Sequence, residues 1–208
     1  MEPYEKILQI VDILALFIAG LSGLSAAREA RLDWVGAYVS ALLCGIGGGT
    51  LRDLLIGRTP VFWLNQPWVL AIPLLVILIG ESFLRGHYQN RRFFLVADAF
   101  ALALFTWIGT RIALAHEILW SAPLLGAITG TAGGVMRDLI CGRVPVVMRS
   151  EFYVSAALLG AILQLILYHL KTQEIITLLA VIFLIILLRL LAIRYHWRLP
   201  LVGTREIT

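Results

Sequence analysis

Apolar residues recur along this chain in long runs, not in the three-and-four spacing of an amphipathic surface helix or the alternation of a half-buried strand. Seven runs stand out, near residues 7–27, 34–56, 67–85, 94–114, 119–141, 152–170 and 174–195, with short intervals between them. A helix needs about 20 apolar residues to cross bilayer hydrocarbon, so each run predicts one span. The expected fold class is an all-α membrane protein with seven transmembrane helices. No interval is long enough to hold a soluble unit, and residues 1–208 read as one membrane domain.

Composition agrees: 60% of residues are hydrophobic and 14% are charged, against about 25% charged in soluble domains. The net charge of +4 does not point to nucleic acid, because the basic residues lie between the apolar runs and form no stripe. Their distribution is a topology signal. Lys6, Arg58, Arg111 and Lys171 fall on the side of the N-terminus; Arg28, Arg31, Arg85, Arg91, Arg92, Arg143, Arg149, Arg189, Arg194, Arg198 and Arg205 fall on the other. The positive-inside bias then predicts an external N-terminus and a cytoplasmic C-terminus. Trp34, Trp68, Trp120, Tyr153 and Trp197 lie near the span ends, as interfacial anchors do. The first run follows Glu2 and Glu5, exceeds a signal-peptide core and lacks a small-residue cleavage site, so it is read as a retained helix.

An internal repeat organises the chain. Residues 45–61, GIGGGTLRDLLIGRTPV, match residues 130–146, GTAGGVMRDLICGRVPV, at an offset of 85. The shared Gly45/Gly130, Gly48/Gly133, Gly49/Gly134, Arg52/Arg137, Asp53/Asp138, Gly57/Gly142, Arg58/Arg143 and Pro60/Pro145 are not explained by common hydrophobicity. Upstream, VDILALFIAGLSG around Asp12 parallels ADAFALALFTWIG around Asp98. Three spans separate equivalent elements, so residues 7–85 and 94–170 are expected to form two three-helix repeats of opposite membrane orientation. Residues 174–195 have no counterpart and form an added helix.

The polar residues inside the spans carry the candidate chemistry. Gly47, Gly48 and Gly49, with Gly133 and Gly134, permit either a bend that exposes backbone to a wet path or close helix packing; Gly45–Gly49 also fits GxxxG. Arg52-Asp53 and Arg137-Asp138 follow these glycines, where intramembrane charges line a route or pin helices together. Asp12 and Asp98 sit at equivalent places, each within reach of an arginine, as an ion pair or as a coordinating carboxylate. Glu81 and Arg85 are spaced for an interfacial pair. Lys171 and Glu174 read as solvated loop charges, and the Arg189–Arg205 tail as contacting water or headgroups. Cys44 and Cys141 lack metal or redox spacing and read as packing residues. His87, His116, His169 and His196 lie near span ends with no HExxH pattern, and GxSxG and P-loop motifs are absent. No catalytic residue, metal site or cofactor is expected, and the chain is not read as an enzyme.

With these motifs assembled, the chain resembles the trimeric intracellular cation channel family in its bacterial members, from Asp12 through the seventh run. The resemblance implies a homotrimer in the bacterial inner membrane, surrounded by membrane lipids, in which each protomer holds its own monovalent-cation pore with potassium as the permeant ion. It implies kinks in the second and fifth helices at Gly47, Gly48 and Gly49 and at Gly133 and Gly134. Arg52, Asp53, Arg137 and Asp138 become pore charges, with Asp12 and Asp98 as supporting polar groups. Ala132 replaces the equivalent of Gly47, which predicts a shallower second kink, and the Lys-Glu-Val motif of animal members is missing, so their voltage and phosphoinositide regulation is not carried over. Bacterial relatives are sometimes named glycine transporters. A carrier for a small amino acid is therefore the alternative to a channel, and a purely structural assembly protein the third reading.

Overall fold

Each apolar run becomes a helix because an all-apolar segment satisfies its backbone internally and needs no alternating face. The computed structural model describes residues 2–83, 91–149, 152–195 and 197. In chain order the helices are α1 (Glu2–Glu29), α2 (Trp34–Leu55), α3 (Trp68–Phe83), α4 (Arg91–Ala115), α5 (Ala122–Ile140), the single-turn α6 (Val146–Arg149), α7 (Tyr153–His169) and α8 (Glu174–Tyr195). A 3-10 turn at Phe62–Leu64 precedes α3. The long helices follow the expected spans, whereas the 3-10 turn and α6 were not expected. The side chains of Glu81, Arg91, Arg92 and Arg149, and residues Arg85, His87, His196, Arg198 and Arg205, lie outside what the structure describes, so the Glu81–Arg85 pair does too.

Among the described residues, four helical stretches are long and apolar enough to cross a bilayer: Glu5–Glu29, Trp34–Leu55, Phe94–Ala115 and Glu174–Tyr195. Trp68–Gly80 and Tyr153–His169 are apolar but shorter. Large apolar side chains remain on the outer surface, among them Val35, Leu54, Leu78, Leu124, Leu139 and Phe183, as a lipid-covered protein requires.

The ends are set locally. Asp33 caps α2 by accepting from the Gly36 amide at 2.8 Å, and Pro123 stands in the first turn of α5. Inside, α2 and α5 pack against each other, with α1 and α4 on either side. Arg189 and Tyr153 correct two expectations. Arg189, read as part of a solvated tail, is 1% exposed, and its guanidinium lies 4.5 Å from the centre of the Tyr153 ring. Tyr153, read as an interfacial anchor, is buried beneath it; this cation–π contact ties α8 to α7.

Candidate functional site

The glycines of α2 and α5 do not interrupt either helix, and both remain α-helical from end to end. The visible consequence of these glycines is close approach. A Cβ on Gly48 would overlap the Thr129 carbonyl oxygen, and a Cβ on Gly133 would overlap that of Cys44. Cys44 and Thr129 are equivalent positions of the repeat, as are Gly48 and Gly133, so the two helices cross by exchanging one contact. Gly49 lies under the Phe62 ring, at 2.6 Å for an added Cβ. Gly47 faces the Met136 sulfur at 2.6 Å by the same construction, whereas Gly134 has nothing nearer than the Tyr153 hydroxyl at 3.5 Å.

Beyond the crossing, both helices end in the same way. The Arg58 amide donates to the Asp53 carbonyl at 2.8 Å and Gly57 to Leu54 at 3.2 Å; Arg143 donates to Asp138 at 2.9 Å and Gly142 to Leu139 at 3.0 Å. Gly57 and Gly142 have φ of +70° and +67°, so Gly-Arg-x-Pro is a Schellman stop with proline beyond it. The two aspartates then grip the returning chain. Asp53 Oδ2 accepts from the Phe62 amide and Asp138 Oδ2 from the Val146 amide, each at 2.9 Å.

Equivalence stops at the arginines. Arg52 pairs with its neighbour, Nε and Nη2 donating to Asp53 Oδ1 at 2.9 and 2.7 Å. Arg137 donates through Nε to Asp138 Oδ1 at 2.9 Å, and through Nη1 to both Asp98 Oδ1 and Ser22 Oγ at 2.6 Å. Its guanidinium also lies 4.8 Å from the Phe94 ring centre. Asp98, Arg137 and Asp138 are all buried. Of the two acids expected to meet an arginine, Asp98 does so; Asp12 forms no ion pair among the described residues.

Asp12 instead faces a cavity of about 640 Å3. Its wall takes Glu5, Lys6, Gln9 and Asp12 from α1, Gly45, Gly49 and Arg52 from α2, and Arg111 from α4, with Arg58, Gln66 and Thr129 completing the polar lining. Leu16, Val69, Phe105 and Ile108 supply apolar wall. Of the residues singled out in the sequence, Asp12, Gly49 and Arg52 line this space. Gly48 and Gly133 lie at the crossing, and Asp53 and Asp138 act as buried clamps. Asp98 and Arg137 are not on this wall and pair with each other at 2.6 Å.

Three polar contacts escaped the sequence reading. Arg111 pairs with Glu174, joining the cavity wall to the start of α8, so Glu174 is not simply a solvated loop charge. Arg143 reaches the Ala26 carbonyl at 2.7 Å and Glu29 at 3.0 Å, capping the end of α1. Gln164 donates to the Trp107 carbonyl at 3.1 Å and links α7 to α4. A glutamine in an otherwise apolar run was a usable signal for a buried contact.

A family model described as glycine transporter matches residues 9–84 and 95–169. A Vibrio cholerae UPF0126 membrane protein is 34% identical, over 94% of this chain and 82% of its own length. The Escherichia coli UPF0126 inner membrane protein YadS is 31% identical, over 91% and 93%. In structure, the trimeric intracellular cation channel orthologue from Rhodobacter sphaeroides superposes with a TM-score of 0.87 at 33% identity, over 91% of this chain and 98% of that one. The chain belongs to the trimeric intracellular cation channel family. Members of this family are membrane channels and not enzymes, and the two segments matched by the family model are the two halves that carry the repeated glycine and Arg-Asp motifs.

Proposed function

We propose that the protein conducts monovalent cations, potassium among them, across the bacterial inner membrane through a path inside each protomer of a homotrimer. The charged cavity of about 640 Å3 within a single chain carries this reading, in a fold shared with a cation channel orthologue. The family's trimeric name supports the assembly, and YadS, an inner membrane protein, supports the location. All seven long helices are read as spans, in one membrane domain.

Residues 7–85 and 94–170 are read as two inverted three-helix repeats, with 174–195 as the added helix. The exchanged Gly48–Thr129 and Gly133–Cys44 contacts and the two matched segments support that division. The positive-inside count supports an external N-terminus and a cytoplasmic C-terminus, which makes the cavity an outer vestibule. Gly49 forms part of its wall; Gly47, Gly48, Gly133 and Gly134 line the helix crossing below; Arg52 with Asp53 and Arg137 with Asp138 are the charges at its two ends. The buried Asp98–Arg137 pair is the inner closure.

Planar bilayer recording of the purified protein in potassium chloride, sodium chloride and glycine tests the proposal. Discrete cation-selective current steps are expected. Slow, saturable glycine exchange without steps would overturn it in favour of a small amino-acid carrier. The carrier is the second reading because Asp12 faces the cavity whereas Asp98, its counterpart in the repeat, is buried against Arg137, an asymmetry expected of a protein that opens to one side at a time.

A further inference from the structure

We infer that Asp12 is the residue that makes the path select cations, an inference that rests on the conduction reading above. Basic side chains outnumber acidic ones on the cavity wall: Lys6, Arg52, Arg58 and Arg111 against Glu5 and Asp12. Taken alone, that lining repels the proposed permeant ion. The pairing of each charge changes the balance.

Arg52 is held by Asp53, with Nη2 at 2.7 Å from Oδ1, and Arg58 Nη1 stands 3.8 Å from the same oxygen. Arg111 is engaged by Glu174 from α8. Neither Asp53 nor Glu174 lines the cavity, yet each draws an arginine's charge away from it. With these two acids counted, four positive charges face four negative ones; neither carboxylate on the wall has an ion pair among the described residues, but Glu5 is exposed near the start of α1 whereas Asp12, about two turns further in, is partly buried.

Comparison with the other half sharpens the assignment. Asp98 occupies the equivalent place in its repeat, but it is buried and Arg137 Nη1 lies 2.6 Å from it. Duplication has thus left two aspartates with opposite fates, one consumed in a closure and one facing a cavity. The guanidiniums that share the cavity wall with Asp12 are those of Arg52, Arg58 and Arg111. Each already has an acidic partner, so a mobile potassium ion can take the Asp12 carboxylate, with the amide oxygens of Gln9 and Gln66 on the same wall. A fixed carboxylate beside a pore serves a cation channel in this way, attracting the ion without binding it so tightly that it cannot leave.

The test is the reversal potential of reconstituted channels in a potassium chloride gradient, read together with conductance in dilute and concentrated salt. For Asp12→Asn the reversal potential should move at least about halfway toward zero. Conductance in dilute salt should fall roughly threefold or more and converge on the parent value in concentrated salt, where fixed charges are screened. Asp12→Glu should restore both. Asp12→Cys permits a measurement after assembly: an anionic thiol reagent should raise cation selectivity and a cationic one lower it, with the parent, whose Cys44 and Cys141 are buried, as control. An Asp12→Asn channel with the parent's reversal potential and salt dependence overturns the inference, as does an Asp12→Cys channel indifferent to reagent charge. If the parent passes cation-selective current, either result leaves the conduction reading standing. A parent without such current overturns that reading and this inference with it.

Discussion

Gly48 packs directly against the carbonyl oxygen of Thr129, leaving no room for a methyl group between α2 and α5. Gly133 meets Cys44 in the same way. Since backbone cannot yield as a flexible side chain does, Gly48→Ala and Gly133→Ala should each cost about 1–3 kcal/mol or more by overpacking. Gly134→Ala would make only ordinary van der Waals contacts, the nearest to the Tyr153 hydroxyl at 3.5 Å, and should be neutral, or stabilising by about 0.5–1 kcal/mol, because alanine loses less entropy in a helix. Thermal unfolding in detergent checks the order; a Gly48→Ala protein as stable as Gly134→Ala would mean a looser crossing.

Asp98 and Asp12 should respond differently to the same substitution. Asp98→Asn removes a partner of fully buried Arg137, which keeps Asp138, and should destabilise on the order of 3 kcal/mol. Asp12→Asn breaks no ion pair and should change stability by less than about 1 kcal/mol. The comparison needs only melting curves and the yield of folded oligomer. Equal losses would contradict the assignment of Asp98 alone to the closure.

Glu174 should matter more for current than for folding. Arg111 and Glu174 are 32% and 40% exposed, so their pair contributes only about 0–1 kcal/mol. Glu174→Gln would leave Arg111 less compensated on the cavity wall, beside Asp12, and should lower potassium conductance at unchanged oligomer yield. The double variant Arg111→Gln with Glu174→Gln should recover it. No change in either variant would mean that the ion does not sense Arg111.

Much of this arrangement was written in local sequence. Runs of apolar residues marked the helices, and Gly-Arg-x-Pro at Gly57 and Gly142 carried the information for both helix stops, though it served in the sequence only to align the repeat. What the repeat could not show was how Arg52 and Arg137 differ. Each follows a glycine segment and precedes an aspartate; only tertiary packing brings Asp98 and Ser22 to one of them and opens a cavity beside the other. Glu174 lies 63 positions from Arg111, at a separation where periodicity says nothing about contact. Arg189 was misjudged because it stands near the end of an apolar run, where snorkelling to the interface is the ordinary expectation; the Tyr153 ring gives it an internal site instead.

Orientation follows from the basic residues, and the tail after Arg194 is expected on the cytoplasmic face. A tag appended after Thr208 should resist protease in intact spheroplasts and become cleavable on lysis. Cleavage before lysis would invert the topology, turning the cavity into an inner vestibule and the Asp98–Arg137 pair into the outer closure.

Arg52 and Asp53 should act on the current with opposite signs. Asp53 Oδ1 takes both Arg52 hydrogen bonds while Oδ2 takes the Phe62 amide, so the acid both restrains a cavity charge and fastens the returning chain. Asp53→Asn leaves Arg52 less compensated on the wall, which should raise the electrostatic barrier and reduce potassium conductance. Arg52→Gln removes the positive charge and should preserve or increase it. Each change also breaks a buried pair, with a cost of about 3–5 kcal/mol, so current must be normalised to folded oligomer. Asp138→Asn and Arg137→Gln extend the test to the inner end, where Arg137→Gln also removes the cation that binds Asp98. Opposite signs at Arg52 and Asp53 in folded protein would establish electrostatic control of the vestibule; folded variants of both kinds that conduct as the parent does would reduce the pair to a mechanical clamp.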